Sequence, residues 1–416
     1  MTSALRSRSA WRATLAVALV GLGAVVASAQ SPSTPGDTMP RLHIYGFGQA
    51  DMINDFRRND PNWFDVNRPT KLPARRFEFG ENGHTWFSAR QSRFGVEGVV
   101  PTRRGDVTAV FDFDMFGVGI DAGQTTIRLR HAYGRWGGLI AGQLESPFMD
   151  LDVFPNILDY WGPNGMLFFR NVQIQYRPYE KDKGETHVEF ALERPGASGD
   201  AGVFADRIDF ANVFPHFPLP DLSGSYRQKT SWGYFKLAGI VREIEWDQVP
   251  PDSIDISGRV AGWGLSLSGN IKALSKDVIR LQAVYGHGVQ NYFNDAPVDV
   301  GAEHNLDDRF RPLSGVALPI FGATTYLDHY WNPRVTTAIG WSMVNIKNSD
   351  GQLVDAFHNG QYATVNLLWT PVTNVMMGGE FQYGFRKNVA DGWTFNDYRL
   401  EFSFKFSFSQ HIGGKE

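Results

Sequence analysis

One stretch constrains the fold more than any other: Asp397 to Phe408, DYRLEFSFKFSF. Tyr398, Leu400, Phe402, Phe404, Phe406 and Phe408 fall on one alternating face. Arg399, Glu401, Ser403, Lys405 and Ser407 fall on the other. A strand points successive side chains to opposite faces, so this segment has one apolar wall and one charged wall. Four phenylalanines on one face and several charges opposite match a barrel strand with lipid outside and water inside.

The rest of the chain repeats the signal. Sixteen strand-like segments are predicted: 42–55, 86–100, 107–117, 126–137, 139–148, 168–178, 186–195, 222–230, 233–247, 261–273, 278–293, 316–331, 334–347, 361–370, 375–387 and 397–408. Long polar connections alternate with short turns, which places the long loops on one rim and both ends of the barrel on the other. An even number of strands with this loop asymmetry predicts an all-β fold, a sixteen-stranded antiparallel transmembrane β-barrel. Trp136, Trp232, Tyr330, Trp331, Trp369 and Phe408 are expected in an aromatic band at the turn rim. Trp86, Trp246, Tyr292, Trp393 and Tyr398 are expected in a second band at the loop rim.

Composition fits this reading. The 416 residues include 31 Phe, 12 Trp and 44 Gly but no Cys, so disulfides play no part. Mean hydropathy is negative, and outside the N-terminus no apolar run is long enough for a membrane helix. Residues 1–29 read as a signal peptide: Arg6, Arg8 and Arg12, an apolar run from Ala13 to Val26, then Ala27-Ser28-Ala29 as the cleavage site. Cleavage would leave 37 basic against 44 acidic residues, a formal charge of −7 that argues against nucleic acid as a partner. Residues 30–41 read as a short flexible lead-in, 42–408 as the barrel and 409–416 as a C-terminal tail.

The connection after the fifth strand, Ser146 to Met166, carries Asp150, Asp152 and Asp159 among Phe, Pro and Trp. Folded inward, it would constrict the wide lumen of a sixteen-stranded barrel. Left outside, it would pack on neighbouring loops or a second copy.

Strand parity turns a mixed set of charges inward. The basic members are Arg93, Arg128, Arg130, Arg177, Lys236, Arg242, Arg280, Arg386, Arg399 and Lys405. The acidic members are Asp51, Glu97, Asp112, Asp114, Glu189, Glu193, Glu380 and Glu401. Arg93, Arg128 and Arg130 precede the insertion and Arg170 follows it, so together they form a candidate cationic ladder for carboxylates. Arg177, Arg242 and Arg280 join them as pore candidates. The alternative is that Asp112 and Asp114 neutralise Arg128 and Arg130 across adjacent strands. Arg170 shares the apolar parity of its strand and needs a bulge or a strand end to turn inward.

Several motifs resemble a known family. They are Ser88-Ala89-Arg90-Gln91-Ser92-Arg93, Arg128-Leu129-Arg130-His131-Ala132-Tyr133-Gly134 and Gly142-Gln143-Leu144-Glu145-Ser146, with Phe148-Met149-Asp150. To these add Gly162-Pro163, Arg170-Asn171-Val172-Gln173-Ile174-Gln175-Tyr176 and Trp232-Gly233-Tyr234-Phe235-Lys236-Leu237-Ala238-Gly239. Their order and spacing resemble the DcaP-like outer-membrane transporters, relatives of the general porins. The resemblance implies a homotrimer in the outer membrane of a Gram-negative bacterium. It also implies an inward third loop and passage of small anionic solutes such as dicarboxylates; diffusion-type transport without energy coupling is expected because no plug domain precedes the barrel. Two departures stand out: 30–41 is too short for the N-terminal coiled coil of some members, and SQHIGGKE follows Phe408.

Other functions find less support. No metalloprotease, nucleophile-elbow or phosphate-loop motif is present, so an enzyme, a cofactor and a metal are not expected. His131 and His329, of outward parity, read as rim residues rather than catalytic ones. The carboxylates of Asp295 to Asp308 match no calcium loop. A non-conducting adhesin or cell-envelope anchoring barrel is the alternative; charged inward faces and moderate loops favour a pore.

Overall fold

A computed structural model describes residues 39–206, 212–249, 255–274 and 276–413. The expected signal peptide and nearly all of the lead-in lie outside the described residues.

Sixteen antiparallel strands close on themselves. They are β1 (Arg41–Asp55), β2 (His84–Ser88 and Arg93–Val100), β3 (Val107–Phe116), β4 (Thr125–Trp136), β5 (Leu139–Glu145), β6 (Arg170–Lys181), β7 (Thr186–Glu193) and β8 (Val213–His216 and Asp221–Thr230). The second half comprises β9 (Gly233–Gln248), β10 (Gly258–Ala273), β11 (Asp277–His287), β12 (Pro319–Asn332), β13 (Val335–Ile346), β14 (Phe357–Val372), β15 (Val375–Asn388) and β16 (Thr394–Ile412). Each strand pairs with the next, and β16 closes on β1 from Leu42↔Ile412 to Asp55↔Arg399. Closure removes the free edges that lipid cannot satisfy. β16 runs beyond Phe408, so Ser409 to Ile412 of the expected tail are strand, held by β1.

The face assignment holds along β16. Phe402, Phe404, Phe406 and Phe408 are 43–58% exposed, whereas Arg399, Glu401 and Ser403 are fully buried. Turn-rim aromatics Trp136, Trp232, Tyr330, Trp331, Trp369 and Phe408 are all exposed. The expected loop-rim band differs. Tyr292 is buried in the cluster formed by Phe148, Val284, Val289 and Leu318, while Trp246 and Trp393 donate to the carbonyls of Ile256 and Pro73. Only Tyr398 of that group stands exposed. Loop packing competes for these rings and wins, because each indole finds a buried acceptor.

Two irregularities matter for the lumen. A bulge in β4 breaks the register between Asp112↔His131 and Phe113↔Leu129, and Arg130 is the extra residue. A bulge sets two residues against one. His131 therefore turns inward opposite Asp112, contrary to its simple parity. β2 is interrupted at residues 89–92, between its pairing with residues 51–55 of β1 and with residues 41–47. The loop rim carries three large connections, 56–83, 146–169 and 288–318. A small sheet of Gly199–Asp200, Val300–His304 and Leu313–Ala317 joins the 288–318 connection to the one that follows β7.

Candidate functional site

The connection 146–169 is the third on the loop rim, and its contacts run along the inner faces of β9 to β15. It opens with a tight turn: Met149 N–H donates to Ser146 O at 3.0 Å and Phe148 N–H to Ser146 Oγ at 3.1 Å. That turn drives Phe148 and Met149 into a buried cluster with Ala238, Ile240, Val284 and Ile320. Asp150 accepts from Tyr234 at 3.0 Å and from Ser268 at 2.6 Å. Asn156 bonds Thr336, and its carbonyl accepts from Asn366. Leu158 and Asp159 donate their backbone N–H groups to the Glu380 carboxylate at 2.8 and 3.1 Å. Gln91, in the break of β2, donates to Leu158 O at 3.1 Å. Further on, Gly165 N–H reaches Ser342 Oγ at 2.8 Å. A Cβ on Gly165 would stand 2.0 Å from Met343 O, so only glycine allows that approach.

The three candidate acids of this loop are all engaged. Asp152 pairs with Arg227 at 2.6 Å, and Asp150 lies 3.7 Å from the same guanidinium. Asp159 is buried and accepts from Tyr362 at 2.9 Å and from Asn67 N–H at 3.3 Å. Burial pushes its carboxyl up to about 6, and Arg399 and the Tyr362 hydroxyl offset part of that rise.

The expected cationic ladder is neutralised. Arg128 binds Asp114 at 2.6 Å. Arg130 lies 3.1 Å from Asp112 and 2.9 Å from Asp114. Tyr160, from the loop, donates to Asp114 and caps both guanidinium groups. The reason is register: Asp114 is the cross-strand partner of Arg128, and the bulge places Arg130 over the same carboxylates. Arg177 pairs with Glu189 and Glu180, Arg242 with Asp221 and Asp299, and Arg280 with Asp328. Arg170 opens β6 in register with Glu145, stacks on Phe168 at 5.0 Å and forms no ion pair among the described residues. The acidic segment 295–308 is tied to the 56–83 connection: Asp295 binds Arg68 at 2.9 Å and accepts from Thr70 N–H.

As with Arg170 and Arg386, no ion pair is formed among the described residues by Arg93, which stands in register with Asp114, or by Lys405. Arg93 and Lys405 lie against the ring of Phe47, with the Lys405 ammonium 3.9 Å and the Arg93 guanidinium 5.5 Å from its centroid. Phe47, Arg93 and Lys405 line a cavity of about 620 Å³ together with Asn156, Asp159 and Thr336. A second cavity, of about 500 Å³, holds Arg227, Lys229, Lys272 and Arg280 against Asp152 and Glu185. Leu151 and Phe154 line both, so this short piece of the loop separates them. Sequence parity identified Lys405 as inward but gave no reason to rank it above the arginines. The signal lay in its neighbours, since no acid faces it in register: Lys405 pairs with Gln49 and Met376.

Comparison with known proteins gives this geometry a context. The DcaP outer membrane protein family model matches residues 41–242. The outer membrane channel DcaP of Acinetobacter baumannii superposes with a TM-score of 0.74 at 18% identity, covering 92% of this chain and 100% of that one. An anion-selective porin from Comamonas acidovorans gives 0.57 at 8% identity, covering 89% and 100% of the two chains. A loop L8 deletion mutant of OmpT, an outer membrane protein of Vibrio cholerae, gives 0.54 at 11%, covering 89% and 99%. At these identities the superpositions establish the fold. No protein among curated relatives matches the chain by sequence. The family match and the shared barrel place the chain in the outer membrane of a Gram-negative bacterium and support a channel of the porin type.

Proposed function

We propose that this DcaP-like outer-membrane barrel is a passive diffusion pore that prefers small hydrophilic anions, carboxylates and dicarboxylates among them. The observation that carries the reading is the Arg93 and Lys405 pair. Arg93 and Lys405, which form no ion pair among the described residues, face one lumenal cavity together with Arg130, and the acid in its lining is the bonded Asp159. A permeating ion responds to charges within a Debye length of ~8 Å at physiological salt, and low-dielectric walls sharpen their field. Arg128 and Arg130 contribute little net charge because Asp112 and Asp114 cancel them. The mature charge of −7 resides largely on loops and turns, where salt screens it.

The loop 146–169 acts in this proposal as the constriction, seated by Glu380, Ser342, Thr336 and Asp150. Weak, repeated attraction suits passage, since a site must be favourable enough to enter and weak enough to leave. Guanidinium and ammonium groups around one ring offer a carboxylate two such contacts. A homotrimer, implied by the DcaP resemblance, belongs to the same proposal, and light scattering of the detergent-solubilised protein reads it. The primary test is single-channel recording in planar bilayers, with stepwise ohmic conductance expected. Silence across chloride, acetate and succinate salts would instead favour a non-conducting anchoring or adhesive barrel.

A further inference from the structure

A further cavity lies at the loop rim, away from the lumen. It holds about 430 Å³ between the connection that follows β7, the loop-rim ends of β8 and β9, and the small sheet of the 288–318 connection. None of its lining residues lines either lumenal cavity. Pockets for small ligands hold roughly 300–1,000 Å³ and are mostly apolar, with a few polar groups converging on them.

The apolar part of the wall is Val213, Phe217, Ile244, Trp246, Val300 and Leu313. Trp246 is fixed in place, because its indole N–H donates to Ile256 O at 2.6 Å. A Cβ on Gly258 or on Gly315 would stand 2.5 Å from its ring, so only glycine at both places leaves the indole where it is. Ala302 is the cross-strand partner of Gly315, and its side chain shares the face that looks onto this ring.

The charge in the lining has one sign. Asp200 and Glu245 stand there, and no Lys, Arg or His does. Glu245 is answered by His216 at 3.4 Å and by Arg259 at 3.9 Å. Asp200 accepts from Gly202 N–H at 2.8 Å and from the Gln352 amide at 2.9 Å, and among the described residues it forms no ion pair. Both donors are neutral, so the carboxylate keeps its charge beside an apolar wall, with acceptor capacity to spare on each oxygen.

We propose that this cavity binds a small aromatic amine, with its ring against Trp246, Ile244, Val300 and Leu313 and its ammonium on Asp200. Burial of the ring against aromatic and aliphatic side chains supplies the attraction. A charge-assisted hydrogen bond to Asp200 exceeds a neutral one, and two acids without a base in the lining work against a carboxylate at the same place. An anion suited to the lumen is therefore rejected here. The inference goes beyond the pore reading and does not depend on it.

The test is equilibrium dialysis of radiolabelled phenethylamine against the full-length protein in a nonionic detergent, with phenethyl alcohol and hydrocinnamate as competitors. The amine is expected to bind at least tenfold more tightly than either. Asp200→Asn keeps an acceptor for Gly202 N–H and should bring the amine down to the affinity of the alcohol. Ala302→Phe, which fills the cavity, should lower the affinity for the amine tenfold or more. The proposal is overturned if wild type binds the three compounds alike, or if the amine does not saturate the protein at millimolar concentration. Binding of the amine by Asp200→Asn or by folded Ala302→Phe as in wild type overturns it as well. A chain that is silent in planar bilayers yet binds the amine fails the pore reading alone; a conducting chain that does not bind it fails this one alone.

Discussion

Replacing Glu380 by Ala should release the middle of the third loop without unfolding the barrel. The Glu380 carboxylate accepts four hydrogen bonds: the N–H groups of Leu158 and Asp159, the Asn366 amide and the Gln382 amide. Truncation leaves two buried loop N–H groups without an acceptor, and each such orphan costs about 1–3 kcal/mol. Local opening of residues near 158 should therefore become easier by about 2–6 kcal/mol. Since a factor of ten corresponds to about 1.4 kcal/mol, exchange of those two amides should accelerate by roughly 30-fold to 10⁴-fold. Hydrogen exchange with mass spectrometry on the detergent-folded protein resolves this, with peptides of β12 and β13 as internal controls. Glu380→Gln keeps one acceptor oxygen and should fall between wild type and Glu380→Ala. If the 151–166 peptides exchange as in wild type while the barrel strands lose protection, Glu380 supports the wall and not the loop, and the account of the constriction is wrong.

Phe404→Arg should destabilise the folded barrel by about 2–4 kcal/mol if the residue faces the bilayer midplane, read by urea titration in lipid vesicles; unchanged stability there would contradict the assigned lipid face. Arg90→Ala breaks a buried pair with Asp65 at 2.6 Å, so a loss of about 3–5 kcal/mol is expected, with the 56–83 loop becoming protease-sensitive before the strands. The pH dependence of the loop seat follows from Asp159, whose carboxyl is raised by burial from its ordinary value near 3.9 to about 6. A raised acid contributes stability that is complete below about pH 4 and disappears as pH rises through about 6. Around it, Glu380 and Glu401 oppose the ionised form, while Arg399 and the Tyr362 hydroxyl favour it. Protection factors of the 156–160 amides, with the intrinsic pH dependence of exchange divided out, should be higher at pH 5 than at pH 7.5, and Asp159→Asn should flatten that difference.

Much of the fold was legible because a strand's period of two repeats in every segment. Phe402, Phe404 and Phe406 opposite Arg399, Glu401 and Ser403 gave the wall its inside and outside, and sixteen such segments gave the barrel its size. Parity failed where the backbone departs from it. The bulge at Arg130 turned His131 inward, and no residue type there announces a bulge. The break at 89–92 was hidden because His84–Ser88 and Arg93–Val100 each read as ordinary strand. The candidate site was harder. Arg128 and Arg130 carry the expected charge, but whether a guanidinium is free depends on a register that sequence does not fix. Asp112 and Asp114 were visible as possible partners; Tyr160, arriving from a loop more than thirty residues along the chain, was not. Lys405 stood in the most informative stretch of all, yet its freedom from acids is a property of three strands together.

The reversal potential of the reconstituted pore in a tenfold potassium chloride gradient tests the central claim most directly. Wild type should reverse on the anion side. Arg93→Ala combined with Lys405→Ala should move the potential toward zero or beyond it, while neutralising the whole paired group, Arg128→Gln and Arg130→Gln together with Asp112→Asn and Asp114→Asn, should shift it far less, because those four charges cancel. A cation-selective wild type contradicts the account, as does an anion preference that survives the loss of Arg93 and Lys405 unchanged.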